Sequence, residues 1–315
     1  MKKCSLLIVF TFFTSIIFSQ KSDKLMKEII SKYDFKTHTV KVDNTDISYI
    51  KEGTGEKVIL FVHGLSSNSD AWSKNIEVLK ENYTCVALDL PGYGSSTKPN
   101  VDYTPSYFAE FLHQFILTLE LKNVILVGHS MGGQASIKLA TSYKNDIDKL
   151  ILIAPAGLEQ FSETNATILK NFFTKEMVKN TTDEQIEKNY ALNFYKLPEE
   201  SMKMIEDRKR IKLASDFDAH CHAIVKSISG MLNDSVFSDL EHIKQNTLVV
   251  YGSNDMLIPN RYLNPTLTTK TVGDIASEKI KNVKVFFVEK AGHFVQFEKA
   301  AEVNLLIQDF IANKL

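Results

Sequence analysis

Short apolar runs separated by helical patterns constrain what this chain can fold into more than any other feature. The runs are HTVKV, DISYIKE, VILFVHG, TCVALDLPG, NVILVGHS, KLILIAP, TLVVYGSND and VKVFFVEKAGH. From the third onward they are nearly continuous in Val, Ile, Leu and Phe, as parallel strands buried on both faces are. The first two alternate apolar with polar residues, the pattern of an antiparallel edge pair. Helical periodicity follows most of the later runs, over residues 70–80, 104–119, 131–144 and 298–313. Strand alternating with helix predicts a doubly wound α/β sheet.

One stretch breaks this rhythm. Between IAPAG at 153–157 and NTLVVYG at 246–252 the periodicity is helical and no strand is evident. A helical insertion of this length between two strands of one sheet reads as a cap, placed at 157–236, over a core of residues 20–156 and 237–315. Its aromatic and Met residues (Phe161, Phe172, Phe173, Met177, Tyr190, Phe194, Tyr195, Met202, Met204 and Phe217) are expected mostly to fill the cap's own core, with a few facing down.

The N-terminus differs in kind from the rest. In MKKCSLLIVFTFFTSIIFSQ two lysines precede an apolar stretch from Leu6 to Phe18, followed by Ser19 and Gln20. That is the layout of a signal peptide over residues 1–19, cleaved near Ser19, and the stretch is short for a membrane span. The expected location is secreted or periplasmic, with no stable span in the mature form; an uncleaved anchor is the rival. A net charge of −1 gives no reason to expect nucleic acid as a partner. Cys85 and Cys221 remain after cleavage, and nothing in their spacing requires them to pair.

Chemistry concentrates at 126–135, LVGHSMGGQA. NVILV reads as a strand and MGGQASIKLA as a helix, so Ser130 falls on a strand-to-helix turn, where open α/β sheets bind ligands. Gly128 and Gly132 remove side chains that would clash in a sharp turn, and Gly133 lets the helix pack closely. The helix that follows directs its N–H groups at developing negative charge. A serine hydroxyl needs a base, and the base needs a group that fixes its tautomer. VVYGSND puts Asp255 just past one strand, and VFFVEKAGHF puts His293 just past another. The order Ser130, Asp255, His293 suits this topology. An oxyanion requires two N–H donors. Met131, directly after the nucleophile, is the first, and Leu65, after VILFVHG, is the second.

Other candidates have structural readings. His129 points away from its neighbour Ser130 and reads as a packing or hydrogen-bonding residue. His63 braces a loop, and Asp89 in DLPGYG stabilises one. The cluster Asp218, His220, Cys221 and His222 suggests a metal, but on a helix its two histidines project to different faces. No metal or organic cofactor is expected.

Five segments, FVHGLSSNSDAW, ALDLPGYGSS, LVGHSMGGQA, VYGSNDMLIP and KAGHFVQFEKA, occur in this order across most of the chain. Together they resemble the α/β-hydrolase superfamily, and most closely its capped group of carboxylesterases, monoacylglycerol lipase-like enzymes and carbon–carbon bond hydrolases. The resemblance implies an eight-stranded, mostly parallel sheet flanked by helices, an inserted helical cap, and Ser-His-Asp catalysis through an acyl-enzyme. The implied activity is hydrolysis of a small-molecule carboxylic ester with an apolar acyl or aromatic group. The alternatives are carbon–carbon hydrolysis of aromatic ring-cleavage products and a non-catalytic binding protein on the same scaffold. The carbon–carbon hydrolases use a cap arginine for the substrate carboxylate. Arg208 and Arg210 are candidates for that role, although EDRKRIK reads as a solvated helix face.

Overall fold

The computed structural model describes residues 22–315, so the signal-peptide expectation lies outside the described residues. A short turn of helix, α1 (Met26–Ile29), precedes the edge hairpin of β1 (Thr37–Val42) and β2 (Thr45–Glu52). Then come β3 (Val58–Val62), α2 (Ser73–Leu79), β4 (Thr84–Leu88), α3 (Pro105–Thr118), β5 (Val124–His129), α4 (Met131–Ser142) and β6 (Lys149–Ile153). Helices α5 (Glu163–Phe172), α6 (Lys175–Lys179), α7 (Asp183–Ala191), α8 (Met202–Arg210) and α9 (Phe217–Asn233) follow with no strand among them. The chain closes with β7 (Asn246–Gly252), α10 (Thr269–Lys279), β8 (Val283–Val288), α11 (Val295–Glu298) and α12 (Ala300–Ile311).

All eight strands form one sheet in the order β1-β2-β4-β3-β5-β6-β7-β8. β2 pairs antiparallel with β1 and β4, and the pairs from β4 to β8 are parallel. The side-chain period of two sorts each central strand onto two cores. Val58, Leu60 and Val62 of β3 join Leu126, Leu150 and Val249 on one face, with α3, α4 and α10. Ile59 and Phe61 join Val127, Ile151 and Val250 on the other, with α2 and α12. Cys85 belongs to the second core and Cys221 to the first, so the sheet separates them, and neither is in a disulfide among the described residues. Burial pushes their pKa values up to about 12 and about 11.

Among the described residues no helix is long and apolar enough to cross a membrane. The β7–β8 crossover helix, α10, is not picked out by the sequence pattern.

Candidate active site

β5 ends at His129, and Ser130 turns the chain into α4 with φ 52° and ψ −117°. A left-handed φ is strained for a residue with a Cβ, and neighbouring structure has to hold it. Here β6 does so: Ser130 N–H donates to the Ile153 carbonyl (3.0 Å), and the Ser130 carbonyl accepts from Ala156 N–H (3.0 Å). The glycines admit the close approach. A Cβ at Gly132 would stand 2.5 Å from the carbonyl oxygens of Val62 and His63, and one at Gly128 would stand 2.5 Å from that of Gly132. A Cβ at Gly133 would meet Pro155, so the third glycine seats α4 against the turn after β6.

Asp255 lies fully buried three residues past β7. Its Oδ1 accepts from the N–H groups of Leu257 (2.8 Å) and Ile258 (3.0 Å), and its Oδ2 accepts from His293 Nδ1 (2.8 Å). With Nδ1 donating, His293 keeps Nε2 free to act as a base. Ser130 and His293 line the same cavity; among the described residues no hydrogen bond joins Ser130 Oγ to the ring. Apo sites often close that contact only with substrate bound. Met131 N–H and Leu65 N–H have no acceptor among the described residues. A Cβ at Gly64 would lie 3.1 Å from that of Ser130, which brings the loop carrying Leu65 against the elbow.

With this geometry in place, comparison with known proteins is decisive at the family level. The model of the alpha/beta hydrolase fold matches residues 57–300. The chain belongs to the α/β-hydrolase family. Human monoacylglycerol lipase ABHD6 is 27% identical to it over 268 residues, covering 81% of this chain and 75% of the relative. The dihydrolipoyllysine-residue acetyltransferase component of the acetoin cleaving system of Cupriavidus necator is 27% identical over 269 residues, covering 85% and 67%. Among solved structures, a bacterial membrane phospholipase A described as a virulence factor superposes with a TM-score of 0.73 at 25% identity, covering 88% of this chain and 86% of that one. A probable hydrolytic enzyme of Pseudomonas aeruginosa PAO1 reaches 0.80 at 19% identity, covering 92% and 99%, a likeness of fold.

The histidines around the elbow of this α/β-hydrolase have structural roles. His129 Nε2 donates to the His293 carbonyl (3.1 Å), and burial, then the neighbouring His293, holds it well below the usual histidine range. Leu90 N–H donates to His63 Nε2 (3.0 Å), which puts the ring proton on Nδ1, and that nitrogen donates to the Gly64 carbonyl (2.7 Å). Asp89 accepts from Ser69 N–H and Oγ, Ser95 N–H and Tyr33 Oη, tying three loops together. The four residues of the suspected metal cluster have separate neighbours. Asp218 is held by Lys175 and Lys179, His220 Nδ1 donates to the Gly92 carbonyl, and His222 packs edge-on against Tyr103.

The cavity has a volume of about 1350 Å³, larger than the roughly 300–1,000 Å³ of common small-molecule sites. Six of the ten aromatic and Met residues singled out between β6 and β7 line it: Phe161, Phe172, Phe173, Met177, Tyr190 and Met204. The expectation that most would fill a separate cap core is therefore corrected. Of the helices in this stretch, α5 has no buried residue, and α6 and α7 bury one each, Val178 and Ile186.

Glu159 lies on the same wall, and its Oε1 accepts from Asn260 N–H (2.9 Å) and Asn264 Nδ2 (2.6 Å), fixing the loop beyond Asp255. The reading of EDRKRIK as a solvated face holds for Glu206 and Arg210, which are exposed, and fails for the buried Asp207 and for Arg208. The Arg208 guanidinium lines the cavity over the Phe217 ring (5.4 Å), with Nη1 sealed from solvent and without a partner among the described residues.

His220 gives a pH prediction. Burial and then the nearby Arg208 cation push its pKa from 6.5 down to about 3, so the folded state prefers the neutral ring. As pH falls below about 6.5 the unfolded chain binds the proton first, and stability declines until the folded ring protonates near 3. Tm is expected to fall across that window, and His220→Gln, whose amide can still donate to Gly92, is expected to flatten the decline. Equal slopes for both proteins, measured by calorimetry, would show that His220 titrates freely in the folded state.

Proposed function

We propose that this α/β-hydrolase is a serine esterase that cleaves carboxylic esters of apolar acyl or aromatic groups. The observation that carries the reading is the buried Asp255–His293 pair, bonded at 2.8 Å, presenting the histidine to the same apolar cavity as the strained Ser130.

Ser130 Oγ attacks the ester carbonyl as His293 Nε2 takes its proton, and Asp255 stabilises the resulting imidazolium. The backbone N–H groups of Met131 and Leu65 receive the oxyanion. The imidazolium protonates the leaving alcohol, leaving an acyl-enzyme. His293 then takes a proton from water, hydroxide adds to the acyl carbonyl, and collapse of the second tetrahedral intermediate returns the proton to Ser130. Residues 157–236 act as the cap that covers this site, and secretion or export to the periplasm, with cleavage near Ser19, belongs to the same proposal. The lipase and phospholipase names of the relatives support a lipid-like ester, and the cavity's volume and Phe-rich lining suit one. A series of p-nitrophenyl esters from acetyl to dodecanoyl tests this. Turnover that rises with chain length is expected, and no turnover of any of them contradicts it.

Arg208 favours a second reading, carbon–carbon hydrolysis of a ring-cleavage product, because a buried guanidinium whose Nη1 has no partner among the described residues is suited to a substrate carboxylate. Turnover of a 2-hydroxy-6-oxo-dienoate at a higher kcat/KM than any ester, lost in Arg208→Gln, selects this reading. Ester turnover that Arg208→Gln leaves intact selects the first.

A further inference from the structure

Residues 22–34 precede the first strand and carry none of the motifs described above, yet they lie along the seam between cap and core. Two pins fix them to the cap. Met26 N–H donates to Asp216 Oδ1 (2.8 Å), and the other oxygen of Asp216 pairs with the buried Lys98 of the core (2.9 Å). Five residues on, Ser31 donates through both N–H and Oγ to Asp207 Oδ1 (2.9 Å each), while Arg210 donates to Ser31 Oγ (2.8 Å). Upstream, Ser22 N–H donates to the Leu213 carbonyl and Ser215 N–H to that of Lys24 (2.9 Å each). Two further bonds reach the core: Tyr33 Oη to Asp89 Oδ2 (2.8 Å) and Asp34 N–H to Asp70 Oδ1 (3.0 Å).

Between the two pins the chain makes one turn of helix. Positions 26 and 30 are therefore stacked on one face, as residues four apart are. That face is turned inward. Met26 is 2% exposed, and both Met26 and Ile30 line the cavity that holds Ser130 and His293. Four polar residues around this turn (Lys24, Lys27, Glu28 and Lys32) are exposed, so the segment is amphipathic on the scale of a single turn.

We propose that residues 22–34 are a strap that sets substrate specificity: Met26 and Ile30 form a wall of the acyl cavity, and the pins at Asp216 and Asp207 hold that wall in place. The proposal rests on the esterase reading for its choice of substrate, and on geometry for the wall itself. A strap made of chain outside the cap is a means of changing cavity depth without altering the triad or the cap helices. A hydrophobic pocket that loses or gains one methylene discriminates by roughly 10–200-fold, so a change of side-chain volume here has a large readout.

The test compares wild type with Met26→Trp, Met26→Leu, Ile30→Trp and Ile30→Ala. Each is assayed for kcat/KM on p-nitrophenyl acetate, butyrate, octanoate and dodecanoate, and for displacement of a fluorescent fatty-acid analogue. Met26→Trp and Ile30→Trp are expected to lower the dodecanoate-to-acetate ratio by ~10-fold or more and to weaken binding of the analogue. Met26→Leu is expected to restore both. Ile30→Ala is expected to shift the optimum toward longer chains. Should Met26→Trp fail to fold, the partly exposed Ile30 carries the comparison. A ratio that stays constant in folded variants, whether all esters slow together or none does, overturns the strap as a specificity element. If wild type turns over no ester, the esterase reading fails. The analogue still decides the wall, which is refuted if both Trp variants bind it as wild type does.

Discussion

Ser130→Ala is expected to lower ester turnover by ~10⁴- to 10⁶-fold, the range seen when a triad nucleophile is removed. The residual rate comes from the oxyanion donors and from binding, which the substitution leaves in place. Stability should change little. Alanine keeps the Cβ that strains the elbow at φ 52°, and the backbone bonds from Ser130 to Ile153 and Ala156 do not involve the hydroxyl. Steady-state kinetics on the preferred ester, beside a melting curve, checks both halves. Turnover within tenfold of wild type would place the nucleophile elsewhere.

Asp255→Asn is expected to lower kcat by ~10⁴-fold while the fold persists. The amide oxygen can still accept from Leu257 and Ile258, so the loop keeps its two backbone bonds. The amide nitrogen then faces His293 Nδ1 as a donor. That selects the tautomer with its proton on Nε2, the one that cannot accept from Ser130. The predicted sign is specific: loss of activity with substrate binding preserved. An equal loss of both would point to a disordered loop and not to a wrong tautomer.

These predictions use residues that were legible in the sequence, and the reason is local. A strand-to-helix turn between glycines, and acid and histidine at successive strand ends, are short-range patterns. All eight strands were legible likewise, because Val- and Ile-rich runs between turn residues have a period that needs no partner to recognise. Helix α10 was harder. TKTVGDIASEK buries only Thr269, Val272, Gly273 and Ala276, a stripe too small and weakly apolar to stand out.

Three other features were hidden because tertiary contact makes them. Met26 is held by an aspartate 190 residues away, and four residues of helix give no period to detect. Arg208 looks like its neighbours Lys209 and Arg210 until the helix is docked. The aromatics between β6 and β7 looked like a core because composition says that they will be buried and not against what. In each case the missing information was which surface lay opposite.

Labelling of the purified protein with a fluorophosphonate probe, followed by mass-spectrometric mapping, tests the nucleophile most directly. The expected result is a single adduct on Ser130, formed quickly by wild type and slowly by Asp255→Asn. Failure to label Ser130 in a folded protein that binds the fatty-acid analogue would contradict a serine esterase and leave a binding protein on a hydrolase scaffold.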